Sequence, residues 1–353
     1  MKASIVVPTY NQVNLLKGCL KSFENQSVDR GDFEVIVVND GSEDDTAVFL
    51  ESYRAQFNLR VIDHPRNLGR AQARNSGAKQ AEGEVLIFLD GDSTVDSNFV
   101  CEHVKGCEGG KDSVCIGSVK LPAECDVLPF KSYLTTRGVQ KLKSGEDVPF
   151  RHFVSGNISL PRELFEAVGG FDPGFSFYGG EDLDLGIRLH KSGAEFRFLP
   201  GAISYHHLEG DLKGAIDKRY VFGNRALPLL IEKHPEMVRQ LPVVRLSRNP
   251  FFRLLVFDII YRPLLGVVTA LKRKRFPSFL FDYLFHGATV RGLRDYEEGQ
   301  RETVSPEVRS SKVLLWFFIL WVLFVNIYYY LNFALTRFER LELLPRLLLS
   351  IFK

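Results

Sequence analysis

The sequence predicts an α/β fold with a mostly parallel sheet covered by helices on both faces, followed by a C-terminal helical region that associates with a membrane. Through the first half of the chain, short apolar runs alternate with segments in which apolar residues recur at helical spacing. The short runs are apolar on both faces, which is typical of parallel strands buried between two layers of helices. Residues 313–335 are almost continuously apolar and aromatic, which indicates contact with a bilayer.

Strands and helices alternate in the first part of the chain. The predicted strands are residues 4–7, 33–38, 59–62 and 85–89, and the predicted helices are residues 13–23, 46–57 and 70–81. Parallel sheets bind ligands at the carboxyl ends of their strands. Polar residues directly follow three of these strands: Thr9, Tyr10 and Asn11; Asn39, Asp40, Gly41 and Ser42; and Asp90, Gly91 and Asp92. The sequence therefore predicts a ligand site at this edge of the sheet.

Changes in composition divide the 353 residues into three parts. We predict an α/β domain at 1–210, a helical and basic amphipathic region at 211–300, and a linker with C-terminal apolar helices at 301–353. The formal net charge of +2 does not indicate nucleic-acid binding. Five cysteines without a C-x-x-C pair argue against a disulfide framework or a zinc site and favour reduced thiols. No signal peptide follows Met1, so we expect the α/β domain on the cytoplasmic side.

The segment Asp90-Gly91-Asp92 is a candidate metal site because it follows an apolar strand. Two carboxylates at positions i and i+2 can hold a Mg²⁺ or Mn²⁺ ion that bridges two phosphates. Gly91 between them permits a tight turn and a close backbone approach. The alternative is an ordinary acidic turn.

Two further segments suit a nucleotide. Asp40 after the second strand could accept a hydrogen bond from the imide N–H of uracil, and a simple Asp-Gly turn is the alternative. Asn67, Arg70 and Arg74 lie at the start of the third helix, where a helix N-terminus and guanidinium groups suit a diphosphate. A glycine-containing loop before a solvated helix would give the same pattern.

Candidates for the remaining chemistry lie beyond residue 178. Glu181 and Asp182 follow two glycines and fall in the first turn of a predicted helix, where one carboxylate could deprotonate a hydroxyl group. Helix capping by acidic residues is the alternative. His206 and His207 follow an apolar strand, and a neutral imidazole is a suitable third ligand for Mn²⁺.

Together these motifs resemble the inverting glycosyltransferase family 2, whose members have the GT-A fold. The resemblance covers about the first 210 residues. It rests on seven segments in the family's order: SIVVPTYN (4–11), VIVVNDGSEDDT (35–46), NLGRAQARNSG (67–77), LIFLDGDS (86–93), SGNISLPRELFEAVGGFD (155–172), YGGEDLDLGIRLHKSG (178–193) and YHH (205–207).

The resemblance implies a role for each matching position. The residues that would bind the nucleotide and the donor sugar are Pro8, Thr9, Tyr10, Asp40, Asn67, Arg70, Arg74, Asp90, Gly91, Asn157 and Gly180. Asp92 would bind a Mn²⁺ or Mg²⁺ ion with His206, or with His207 as the alternative. Glu181 would help to bind the acceptor and Asp182 would be the catalytic base. The reaction would be a single inverting displacement on a nucleoside-diphosphate sugar, with a UDP-sugar favoured.

We expect the protein at the cytoplasmic face of the cell membrane, attached by its C-terminal region. Residues 313–335 are long enough to cross this membrane, but the basic residues beyond 335 oppose a full crossing. Helices that lie in the membrane interface are therefore the alternative to a full crossing. Residues 251–275 combine large apolar and basic residues, which suits an anionic membrane surface. The alternative for residues 313–335 is a buried helix at a dimer interface, and the alternative for residues 251–275 is a solvated basic face on a soluble helix. A membrane location suggests a saccharide or lipid-linked acceptor.

Two other functions fit parts of the pattern. A sugar nucleotidyltransferase has a similar sheet and acidic site, but a glycine-rich basic loop normally follows its first strand, where this chain has Pro8-Thr9-Tyr10-Asn11. A non-catalytic nucleotide-binding scaffold of a membrane polysaccharide assembly is the second alternative. Asp92, Asp182 and a histidine in their expected places favour an active enzyme.

Overall fold

The computed structural model describes residues 1–302 except 109, 123–127, 136–138, 140–141 and 143–147. Residues 1–300 form one compact unit, and residues 301–353 form a second. The predicted apolar segment at 313–335 lies outside the described residues. Among the helices that are described, none is both long and apolar enough to cross a membrane.

Eight strands form one mixed sheet in the order β3-β2-β1-β4-β7-β6-β8-β5. The strands are β1 Ala3–Thr9, β2 Phe33–Asn39, β3 Asn58–Asp63, β4 Val85–Leu89, β5 Ser93–Val95, β6 Ser113–Lys120, β7 Asn157–Pro161 and β8 Glu195–His206. The first four strands in this order pair in parallel, as predicted. Beyond β4 the sheet is mixed, because β7 runs antiparallel to both of its neighbours and β5 runs antiparallel to β8.

Helices flank the sheet and then continue without further strands. Those of the α/β part are α1 Val13–Ser22, α2 Thr46–Ser52, α3 Arg70–Gln80, α4 Phe99–Cys107, α5 Pro129–Thr135, α6 Arg162–Ala167 and α7 Glu181–Lys191. The helices that follow are α8 Leu212–Val221, α9 Leu227–Lys233, α10 Pro235–Arg239, α11 Pro242–Arg248, α12 Pro250–Leu255, α13 Asp258–Ala270 and α14 Ser278–Glu302. A π-helical turn, Phe222–Ala226, joins α8 to α9.

The sheet buries both faces, as its apolar strands predicted. Ile5 and Val7 of β1 pack into one hydrophobic cluster, while Val6 between them packs into the cluster on the opposite face. Successive side chains of a strand point to opposite faces, so both layers of helices are needed to cover β1. The exception is β3, an edge strand whose residues are exposed or half-buried.

Helix α2 is shorter than the predicted helix at 46–57, which was wrong at its C-terminal end. The helix ends at Ser52, and Tyr53 has an extended backbone. The Tyr53 hydroxyl donates a hydrogen bond to Glu24 at 3.0 Å, and Phe57 packs against the rings of Phe23 and Phe33. The helical spacing of these apolar residues therefore reflects packing by an extended segment rather than one helix face.

The helical region has its own hydrophobic core, built mainly from α8 and α12 to α14 with α5. Helix α14 continues to Glu302 and so extends two residues into the predicted linker that begins at residue 301. The rest of that predicted linker lies outside the described residues. The basic amphipathic segment at 251–275 contains most of α12 and all of α13, with a break between the two helices.

Candidate active site

A cleft of about 330 Å³ opens at the carboxyl ends of β1, β2 and β4. The N-terminus of α3 and the loop before α7 complete its wall. The residues that line it are Pro8, Thr9, Tyr10, Gln12, Asp40, Asn67, Gly69, Arg70, Ala73, Asp90, Gly91, Asp92, Ser176, Phe177 and Tyr178. Nine of the predicted donor and metal residues are among them. The cleft therefore lies at the carboxyl ends of the strands, where the sequence predicted a ligand site.

Asp90 and Asp92 enter the cleft from a turn that requires glycine between them. A Cβ atom on Gly91 would lie 2.9 Å from the carbonyl oxygen of Pro8 and 2.9 Å from the Gln12 amide nitrogen. Real Cβ atoms do not approach backbone oxygens this closely, so the turn depends on the missing side chain. Gly91 thus lets the acidic turn pack against the end of β1.

Asp92 lies beside His206. The Nε2 atom of His206 is 3.1 Å from Oδ2 of Asp92, because β5 and β8 pair antiparallel with Ser93 opposite His206. Burial lowers the pKa of His206, but the hydrogen bond and charge of Asp92 outweigh this and raise it. The other carboxylate oxygen, Oδ1, is buried and has no hydrogen-bond partner among the residues that the structure describes.

An unpartnered carboxylate oxygen beside an imidazole is a donor set that fits a Mn²⁺ or Mg²⁺ ion. The structure brings His206, and not His207, to this carboxylate; the ring of His207 lies 3.2 Å from the Thr94 hydroxyl. Among the described residues, no three His, Cys, Asp or Glu side chains are grouped to hold a metal. A metal held by Asp92 and His206 would therefore need further ligands from the substrate or water.

Arg74 connects the two acidic parts of the site. Its Nη2 atom donates to Oδ1 of Asp90 at 2.9 Å, and its Nη1 atom donates to Oε1 of Glu181 at 3.2 Å. Arg74 is only 2% exposed. The resemblance implies that Arg70 or Arg74 lies near the diphosphate; in the structure the guanidinium of Arg74 is buried between two carboxylates, and its place near a diphosphate stays a prediction. Arg70, one turn earlier, lines the cleft and lies against the Tyr178 ring.

Glu181 and Asp182 begin helix α7, as predicted, and have different surroundings. Glu181 is buried, and this burial together with the charge of Asp182 raises its pKa to about 7, although Arg74 acts in the opposite direction. Its Oε2 atom is buried without a partner. Asp182 is more accessible, with 23% of its side chain exposed, and accepts a hydrogen bond from the Ser155 hydroxyl. Asp182 is therefore the carboxylate that an incoming group can reach.

Asp40 has a different environment from the one predicted. Its Oδ1 atom accepts from the backbone N–H of Leu68 at 2.9 Å and lies 2.7 Å from Nδ1 of His64, and its Oδ2 atom accepts from the N–H of Gly69 at 2.9 Å. Asp40 thus holds the loop before α3 against β2. His64 itself lies 2.9 Å from the Ser76 hydroxyl of α3.

His64 and Ser155 were not selected from the sequence. His64 directly follows β3, so the rule that polar residues gather at the carboxyl ends of strands would have indicated it. Ser155 carries no such signal, because its role depends on α7, which lies about 25 residues further along the chain.

Two predicted donor residues have structural positions. Asn157 lies inside the sheet, 1% exposed, where its amide donates to the Ala202 carbonyl at 3.0 Å and its oxygen lies 2.8 Å from His103. Gly180 precedes α7 with a φ of 99°, and a Cβ atom there would lie 2.6 Å from the Phe175 ring. The prediction that these two residues shape the sugar pocket stays a prediction; the structure gives them contacts within the protein.

Comparisons with known proteins identify a family for the first part of the chain. The profile of glycosyl transferase family 2 matches residues 4–169, and the profile described as the N-terminal domain of galactosyltransferase matches residues 137–209. An uncharacterised glycosyltransferase of Bacillus subtilis is 33% identical over 254 residues, which cover 58% of this chain and 64% of the relative. The validoxylamine A glucosyltransferase of Streptomyces hygroscopicus is 32% identical over 219 residues, which cover 54% of this chain and 51% of the relative. The aligned parts thus span less than two thirds of either relative.

Solved structures share the fold. Residues 1–349 of TarS from Staphylococcus aureus, in complex with UDP-GlcNAc, superpose with a TM-score of 0.55 at 21% identity, over 88% of this chain and 95% of that one. A mannosyltransferase from Pyrobaculum calidifontis, in complex with GDP-Man and Mn²⁺, gives a TM-score of 0.57 at 16% identity, over 85% and 88% of the two chains. With the family motifs in order along the chain, residues 4–169 form a glycosyl transferase family 2 domain, and the structure has the GT-A fold.

Proposed function

We propose that this protein is a metal-dependent, inverting glycosyltransferase. It would move a sugar from a nucleoside-diphosphate sugar, with UDP favoured, to a hydroxyl group of a saccharide or lipid-linked acceptor. The observation that carries this proposal is the closeness of two acidic groups. Asp92, beside His206, lines the cleft and would neutralise a leaving diphosphate. Asp182 lies 4.0 Å from Arg74, which also contacts Asp90, and would activate a nucleophile.

Asp182 is the group proposed to accept the proton of the acceptor hydroxyl. As this O–H bond breaks, the acceptor oxygen forms a bond to the anomeric carbon, and the bond from that carbon to the diphosphate oxygen breaks. Attack opposite the leaving group inverts the anomeric configuration. Ser155, which donates to Oδ1 of Asp182, would hold this carboxylate in one orientation.

Glu181 is proposed to position a hydroxyl group rather than to take its proton. Because its pKa is raised to about 7, the buried carboxyl is partly protonated at neutral pH. A buried carboxyl group that accepts from Arg74 at 3.2 Å would act on the acceptor indirectly, by holding the Arg74 guanidinium, which lies 4.0 Å from Oδ1 of Asp182.

Asp92 and His206 would hold a Mn²⁺ or Mg²⁺ ion, which stabilises the negative charge on the departing diphosphate. Arg70 is the basic residue among those described as lining the cleft, so it is the proposed contact of this chain with the diphosphate. The neighbouring mannosyltransferase structure contains Mn²⁺, which supports the choice of ion.

A uridine nucleotide is favoured on two grounds. The TarS structures were solved with UDP and UDP-GlcNAc. In this chain the Tyr10 ring is 43% exposed at the end of the cleft, where a base can stack on it. We assign Asp40 to holding the loop beside the base, because both of its oxygens already accept hydrogen bonds from that loop.

A donor panel tests the proposal. The full chain is incubated with UDP-sugars and with GDP-mannose, in the presence of Mn²⁺ or Mg²⁺, and nucleoside-diphosphate release is measured with saccharide acceptors and with water alone. We expect release from at least one UDP-sugar and its loss when the metal is chelated. Tight binding of UDP with no release from any donor would instead support a non-catalytic scaffold.

A further inference from the structure

Helix α13 has an apolar stripe on its solvent side. Ile259, Val267 and Leu271 are 58%, 53% and 42% exposed, and Pro263, also exposed, falls at the same spacing of four residues. Residues four apart lie on one side of a helix, so these four form a continuous stripe from the first turn to the residue that follows the last. A helix that faced only water would place polar residues here.

The opposite side of α13 is already packed. Tyr261 and Val268 are buried in the core of the helical region, and the Tyr261 hydroxyl donates to the Leu284 carbonyl of α14. The exposed stripe therefore does not contribute to the core of the helical region. It is a second apolar surface that needs a different partner.

Basic residues surround this stripe. The run Lys272-Arg273-Lys274-Arg275 directly follows Leu271, and all four side chains are exposed. Within the described part of the chain, none of the four forms an ion pair. Arg262 projects from α13 beside the stripe with 70% of its side chain exposed. Residues 241–275 contain eight basic residues and one acidic residue, Asp258, so the local charge is strongly positive although the whole chain carries only +2.

We propose that the stripe Ile259, Pro263, Val267 and Leu271, with the basic run 272–275, docks on an anionic lipid surface. Apolar side chains would enter the boundary between headgroups and acyl chains, while the lysine and arginine side chains would contact the anionic headgroups. A protein partner would need a complementary acidic and apolar surface, whereas an anionic bilayer supplies both components in the same layer. This inference concerns where the enzyme works and does not depend on its proposed reaction.

The docking geometry follows from the packing of α13. Its inner side contacts α14, and α14 packs against α8 and the π-helical turn; a Cβ atom on Gly292 would lie 2.2 Å from the carbonyl oxygen of Tyr220. The π-helical turn in turn contacts Gly179, next to the start of α7. Attachment through α13 would thus hold the helices that pack beside the start of α7, where Glu181 and Asp182 lie. Neither of these two residues would take part in the attachment.

The test places an environment-sensitive nitrobenzoxadiazole label at Val267→Cys in the full chain, with Cys101 and Cys125 replaced by serine. Val48→Cys is the matched control, because Val48 is also exposed, at 66%, but lies on α2. Emission is recorded without lipid, with phosphatidylcholine vesicles, and with vesicles of equal parts phosphatidylcholine and phosphatidylglycerol. We expect a blue shift only for the label at position 267 and only with the anionic vesicles.

A second variant tests the charges. Replacing Lys272, Arg273, Lys274 and Arg275 by glutamine should lower the vesicle affinity reported at position 267 at least about tenfold. The control variant replaces four exposed lysines of the α/β part by glutamine: Lys17, Lys21, Lys79 and Lys105. These replacements should change the vesicle affinity little.

Three results would overturn the proposal. A label at position 267 that is already blue-shifted without lipid would mean that this chain's own C-terminal segment or a second copy covers the stripe. Vesicle binding without a shift would mean attachment elsewhere, and an equal effect of the control lysines would mean nonspecific attraction. Nucleoside-diphosphate release by the same labelled proteins reports separately on the proposed reaction.

Discussion

Replacing Arg74 by methionine should destabilise the protein strongly and in a pH-dependent way. Methionine keeps much of the length of the side chain but removes the charge that lies between Asp90 and Glu181. At pH 8 both carboxylates are ionised, so the variant leaves buried negative charge without a partner. At pH 5 Glu181 is protonated, because its pKa is about 7, and the loss should be smaller.

The distances set the magnitude. At 3.2 Å from Arg74 Nη1 to Glu181 Oε1, with both side chains almost fully buried, the Coulomb attraction is about 5 kcal/mol at an effective dielectric constant near 20. Desolvation offsets part of this, and removing one partner of such a pair costs roughly 3–5 kcal/mol. The Asp90 contact adds less, because 31% of that side chain is exposed and solvent screens it.

Urea unfolding at pH 5 and pH 8 measures the effect. We expect Arg74→Met to lose about 3–5 kcal/mol at pH 8, and a double-mutant cycle with Glu181→Gln to give a coupling of about 1–3 kcal/mol. Arg162→Met is the control, because Arg162 pairs with Glu166 on the surface and should cost at most about 1 kcal/mol. A loss at pH 8 no larger than that of the control, or an equal loss at the two pH values, would refute the role assigned to Arg74.

Three further predictions address single residues. The pKa of Glu181 is about 7 in the folded protein and 4.5 in the unfolded chain, so this group stabilises the fold at pH values below 4.5 and loses that contribution as pH rises through about 7. Between pH 4.5 and 8, the free energy of unfolding of the wild type should therefore fall by about 3 kcal/mol relative to that of Glu181→Gln. The same pH dependence of the free energy of unfolding in both proteins would contradict this. Asp92→Asn and His206→Ala should weaken Mn²⁺-dependent UDP binding in calorimetry, whereas His207→Ala should leave it nearly unchanged; an equal effect of the two histidines would contradict the assignment. Asp40→Asn should raise the KM for the donor roughly tenfold or more by releasing the backbone N–H groups of the loop, and hydrogen exchange that stays slow at residues 67–69 would contradict that cause.

The sequence predicted best those features that depend on local pattern. The strand ends that carry Tyr10, Asp40 and Asp90 were found because apolar runs mark buried strands and parallel strands end at one edge of the sheet. The start of α7 was found because Leu185 and Leu189, four residues apart, mark its buried face. Each of these features is determined by residues that lie close together in the sequence.

Features that depend on distant segments could not be predicted in this way. Arg74 was expected to face a ligand, but its partner Glu181 lies 107 residues away and is brought to it only by the fold. Asn157 was expected at the sugar pocket, but β7 turns its side chain into the sheet, toward His103. The sequence marked residues 251–275 as apolar and basic, but it could not say which apolar side of α13 is exposed, because apolar spacing alone does not show which side of a helix is already covered.

The most direct test of the central claim is the activity of Asp182→Asn. Asparagine keeps the shape of the side chain but cannot accept a proton, and general base catalysis typically contributes about 10²–10⁴-fold to a rate. With a UDP-sugar, Mn²⁺ and an accepted saccharide, we predict that kcat for transfer falls by at least about a hundredfold while UDP still binds with unchanged affinity. Transfer at the wild-type rate by Asp182→Asn would contradict the claim that this carboxylate activates the nucleophile.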